Sequence, residues 1–203
     1  MTDHNHALRD DIAFMKSLAE AGREGPISGG SILVAAGLIF AAASLASTLV
    51  LTNSTITSGL VFPAIWFGAT AVFLVCLWLI KRTQPAKGGA TRAAGVTWVG
   101  AGWAIFSLVV SLMIIGARAN AWWIMAALGP IVLSIYGGCW MVGATITRER
   151  WLYPFAFGSF ALAGVLAWFA TQPQIMFLVY AVSLVGLLAL PGHILMRKAR
   201  KAA

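Results

Sequence analysis

Six stretches of nearly continuous apolar sequence, at 30–52, 59–80, 93–117, 121–146, 151–171 and 174–196, leave this chain few folds to choose from. Each is about 20 residues or longer, the length a helix rising about 1.5 Å per residue needs to cross about 30 Å of hydrocarbon. The runs lack the alternation of a β-barrel strand. A helix satisfies its own backbone hydrogen bonds, which lipid cannot do. The fold class that follows is an all-α integral membrane protein with six transmembrane helices. Short loops join them as three antiparallel hairpins, 1–2, 3–4 and 5–6. A polar segment, 1–29, precedes the bundle, and a basic tail, 197–203, follows it. The first apolar run starts too late, and is too long, for a cleavable signal peptide, so it is expected to be retained.

Composition agrees. Only 10% of the 203 residues are charged and 60% are hydrophobic, with mean hydropathy +0.87, whereas a soluble domain carries roughly 25% charge. A net charge of +8 would point to nucleic acid in a soluble protein. Here the basic residues sit between spans, so topology explains them and nucleic acid is not an expected partner. Arg9, Lys16 and Arg23 precede span one. Lys81, Arg82, Lys87 and Arg92 lie between spans two and three, and Arg148 and Arg150 between four and five. Arg197, Lys198, Arg200 and Lys201 follow span six. With six crossings all of these fall on one side, and only Arg118 falls on the other. By the positive-inside rule both termini are cytoplasmic and the location is the cell inner membrane.

The spans offer little chemistry. All six acids, Asp3, Asp10, Asp11, Glu20, Glu24 and Glu149, lie outside them, so no carboxylate stands at mid-membrane to carry a proton or sodium ion. His193 is the only histidine in a span, with no second one to complete a haem site. His4 and His6 form a minimal pair on the tail. No metalloprotease or serine-hydrolase motif occurs, and Cys76 and Cys139 sit singly in apolar runs. The expectation is no cofactor, no metal and no enzymatic activity.

Three features remain as candidate sites. Residues 7–21 read as an amphipathic helix ended by Gly22 and Gly25-Pro26, with Leu8, Ile12, Phe14, Met15 and Leu18 on its apolar side and Asp11 interrupting it. Residues 1–29 hold three basic and five acidic side chains. A helix adapted to anionic lipid is normally basic, so this one is expected to dock on protein, either its own bundle or a separate partner, with the lipid surface as a third option. The second feature is span four, where Gly129-Pro130 is expected to kink the helix near its middle. Pro130, Ser134, Tyr136, Gly138 and Cys139 are its candidate cavity-lining residues. Pro191-Gly192 is a second break, late in span six. The third feature is Arg118, a candidate contact at the outer face.

Gly37-x-x-x-Ala41 and Ser159-x-x-x-Ala163-x-x-x-Ala167 have the small-residue spacing of close helix packing, serving a homo-oligomer or the chain's own interior. The function expected from all this is a non-enzymatic accessory or regulatory membrane protein that binds a protein partner at its cytoplasmic face. The alternatives are a small channel or transporter for a neutral or lipophilic molecule, and a lipid-associated membrane enzyme.

Overall fold

A computed structural model describes residues 12–13, 29–53, 60–83 and 89–201. Among the described residues, seven α-helices follow residue 29: α1 (Gly30–Thr52), α2 (Val61–Thr83), α3 (Gly89–Ala119), α4 (Leu128–Thr147), α5 (Tyr153–Trp168), α6 (Pro173–Leu184) and α7 (Leu190–Lys201). Short 3-10 segments, Trp122–Ala127 and Arg150–Leu152, lead into α4 and α5. A π-helical turn, Val185–Ala189, joins α6 to α7, so residues 173–201 form one continuous span of 29 residues. No strand occurs among the described residues. The result is six helical spans long and apolar enough to cross a membrane, as in a multi-pass membrane protein.

Local chemistry sets several boundaries. Pro154 and Pro173 stand in the first turns of α5 and α6, where a missing N–H loses no helical bond. Asn120, at φ 49°, turns the chain after α3, and Arg148, at φ 55°, ends α4 in the left-handed region. Asn adopts that region readily, whereas Arg does so under strain.

The tightest packing joins α4 to α5, and α1 to the sixth span along its whole length. The first and last spans therefore touch closely. Next to them, α2 packs on α1 and α3 packs on α4. The chain neighbours α5 and α6, joined through residues 169–172, make only light contact. Leu133, Leu152, Leu166, Leu184 and Leu188 fill the centre, each at most 1% exposed. By contrast α2 has no buried residue. Its contribution is aromatic: Trp66 lies 6.4 Å from Phe40, 6.2 Å from Phe177 and 6.3 Å from Tyr180 between ring centres. Such ring pairs are favourable beyond the area they cover.

Small residues let α1 reach the sixth span. A methyl group built on Gly37 would stand 2.7 Å from the Ala189 nitrogen, and one on Gly192 would stand 2.7 Å from the Gly30 oxygen. Backbone meets backbone at both points, which only glycine permits. Nearer the other end Ser44 donates to the Phe177 carbonyl across the same seam, at 2.6 Å. Ala41, Ser159 and Ala163 are buried too. At these positions the small-residue spacings serve packing inside the chain.

Two sequence expectations about helix breaks change in detail. Pro130 does not stand at the middle of an unbroken α-helix. It stands in the first turn of α4, two residues after the change from 3-10 to α-helical winding. The proline thus falls where few backbone bonds have yet formed. The break near Pro191 is real but spreads upstream, as the π-helical turn just before it. The expected amphipathic helix 7–21 lies outside the described residues except Ile12 and Ala13, which are helical. The tail beyond 196 continues as the last turns of α7 to Lys201.

Candidate functional site

The least regular part of the membrane region is the π-helical turn, and its cause is local. Pro191 has no N–H, so the Leu187 carbonyl four residues back loses its α-helical donor. Two hydrogen bonds mark this turn, and the second of them serves the Leu187 carbonyl. The Leu190 N–H bonds to Val185, five residues back rather than four. Trp140, 2% exposed on α4, donates its indole N–H to the Leu187 oxygen at 2.9 Å. A freed carbonyl in hydrocarbon needs such a partner, and this bond ties α4 to the sixth span. Single-turn π segments occur often at functional sites.

A groove of about 510 Å³ opens beside this turn, on the outer surface between α5 and α6. It exists because those two helices barely pack. Phe155, Leu162, Leu178, Val182, Gly186 and Leu187 are among its walls, and Ser183 contributes a hydroxyl already donated to the Val179 carbonyl. A methyl group placed on Gly186 would meet nothing within 4 Å. The groove is therefore apolar and open, fitted to hydrocarbon rather than to a polar solute.

The candidate residues of span four fall elsewhere. Pro130 and Gly138 are half-buried, and Ser134 is exposed with its hydroxyl turned back to the Pro130 carbonyl at 3.0 Å. The Tyr136 ring lies 5.6 Å from that of Trp98 on α3, tilted to it by 44°, and Cys139 is a buried free thiol. None of these residues lines the groove. Arg118 is exposed in the last turn of α3. On the N-terminal stripe, Leu8, Asp11, Phe14, Met15 and Leu18 lie outside the described residues, while Ile12 is 57% exposed. His193 is exposed at the surface. No cluster of three metal-ligating side chains occurs among the described residues.

The second organised region is the basic end. Glu149, between α4 and α5, pairs with Lys198 of α7 at 2.8 Å. The same ammonium lies 4.7 Å from the centre of the Trp151 ring, a cation–π distance. Trp151 meets Phe155 edge to face at 5.8 Å. Its indole N–H is shielded yet has no hydrogen-bond acceptor, alone in this among the described buried side chains. On α2, Arg82 stacks over Trp78 at 3.8 Å. The sequence gives no sign of these contacts, because Glu149 and Lys198 are 49 residues apart. Nor does it single out Trp140, although Pro191 implies that some donor must serve Leu187.

No family model, curated protein or solved structure matches this chain.

Proposed function

We propose that this chain is a non-enzymatic accessory protein of the cell inner membrane, with both termini cytoplasmic, whose N-terminal amphipathic helix holds a protein partner. The observation that carries the reading is Ile12. It is helical, belongs to the apolar stripe, and is 57% exposed. That exposure supports the reading because the sequence places Ile12 on the apolar stripe, the side a partner would cover. The leucine-filled centre of the bundle favours a binding role over passage of a polar solute. The test is affinity purification of the full chain in mild detergents, beside Leu8→Asp and Ile12→Asp. A protein should co-purify with wild type and be lost from both variants. Recovery of the bare chain in every detergent, or equal retention by the variants, would refute the proposal.

One observation favours a second reading, a carrier for a neutral lipophilic molecule: the open apolar groove at the π-helical turn. Gly186→Leu should fill it without a clash. Under this reading the variant loses liposome flux of the molecule while keeping its thermal stability. Unchanged flux would remove the groove from consideration.

A further inference from the structure

We infer that the junction between the α4–α5 loop and α7 is a binding site for the phosphate of an anionic phospholipid. The inference is independent of the partner and carrier readings above.

Its basis is charge and height. The Glu149–Lys198 pair holds the loop against α7. Arg148 and Arg150 flank Glu149 in the loop, Arg197, Arg200 and Lys201 lie within three residues of Lys198 on the helix, and all five are exposed. Glu149 is the only acidic side chain among the described residues, and Lys198 already neutralises it. The five cations therefore have no described carboxylate to pair with.

Height follows from length. The sixth span begins at Pro173, and about 20 residues of helix exhaust the hydrocarbon. Arg197 to Lys201 then stand about 5–12 Å beyond its edge, in the layer of lipid phosphates. Interfacial tryptophan belongs at that level. Guanidinium groups suit a phosphate because two parallel N–H groups match two of its oxygens. Basic pockets on the cytoplasmic side of membrane proteins bind anionic headgroups on the same physical grounds.

The test uses the full-length protein in phosphatidylcholine nanodiscs containing a minor share of phosphatidylglycerol. After mild extraction, native mass spectrometry reads which lipid stays on the protein. Phosphatidylglycerol should be retained well above its share. Retention should fall about tenfold or more in Arg148→Gln/Arg150→Gln and in Arg197→Gln/Arg200→Gln. Lys81→Gln/Arg82→Gln removes equal charge from α2 and should leave it within about twofold of wild type. Both paired site variants should melt no lower than wild type in lipid-free detergent, which separates lipid binding from folding. Soluble glycerol 3-phosphate should not displace the lipid. Retention in proportion to the bilayer, equal retention by the paired site variants, a Lys81/Arg82 loss as large as theirs, or displacement by the soluble phosphate would each overturn the inference.

Discussion

Replacing Trp140 with Phe keeps a ring in a closed site and deletes one donor, the N–H that reaches the Leu187 oxygen at 2.9 Å. Side-chain hydrogen bonds between membrane helices contribute about 0.6 kcal/mol on average and up to about 1.7. The upper part of that range applies here, because Pro191 withholds the backbone donor and a stranded buried acceptor costs about 1–3 kcal/mol. The lost ring volume adds about 1 kcal/mol for incomplete repacking. The expected destabilisation is therefore about 2.5 kcal/mol. Pro191→Ala supplies the missing N–H. In that background Trp140→Phe should cost only the volume term, about 1 kcal/mol. The cycle thus predicts a coupling of about 1.5 kcal/mol. Reversible unfolding by SDS in mixed micelles, followed by tryptophan-independent far-UV circular dichroism, measures all four proteins. If Trp140→Phe costs the same in both backgrounds to within about 0.3 kcal/mol, the bond does not compensate for the proline.

Other substitutions probe separate parts of the bundle. Gly37→Ala drives a methyl group against the Ala189 backbone and should cost about 1–3 kcal/mol. Gly138→Ala, in open space on α4, should gain up to about 1 kcal/mol, so thermal melting in one detergent orders the two variants. Ser44→Ala removes the 2.6 Å bond to Phe177 and should cost about 0.6–1.7 kcal/mol, read as a lower SDS midpoint. Arg148→Gly relieves a left-handed conformation at φ 55° and should stabilise the protein in detergent by about 1 kcal/mol. No gain there would show that the C-terminal turn of α4 carries no such strain.

The spans were legible because burial in lipid is read residue by residue. The apolar run at 30–52 became Gly30–Thr52, and the run at 121–146 became Trp122–Thr147. What the sequence hid was which helix meets which. A soluble helix marks its inner face with an apolar stripe. In α1 and α5 nearly every face is apolar, so Phe157, exposed, and Ala156, fully buried, give no contrasting signal. Short loops suggested hairpins, and α1–α2 and α3–α4 do pack. The light contact between α5 and α6 was not visible in the spacing, and with it went the position of the groove. The candidate site moved from span four to the sixth span for a related reason. Pro130 was read as a kink because the 3-10 start of the helix has no compositional mark. Pro191 was noticed, yet its partner lay 51 positions earlier at Trp140, a relation that only three-dimensional proximity supplies.

The close seam between α1 and the sixth span has a bearing on how the protein is made. Its glycine contacts join Gly30 to Gly192 and Gly37 to Ala189. A ribosome adding about 5–20 residues per second needs about 10–30 s to travel from one side of that seam to the other. Throughout that interval α1 has left the insertion channel without its principal neighbour, and Ser44 faces lipid with no Phe177 carbonyl to receive its hydroxyl. That seam is thus closed only when the sixth span emerges. A nascent chain halted before Pro173 should remain an open intermediate, exposed to membrane proteases and dependent on insertase or chaperone custody until that span follows.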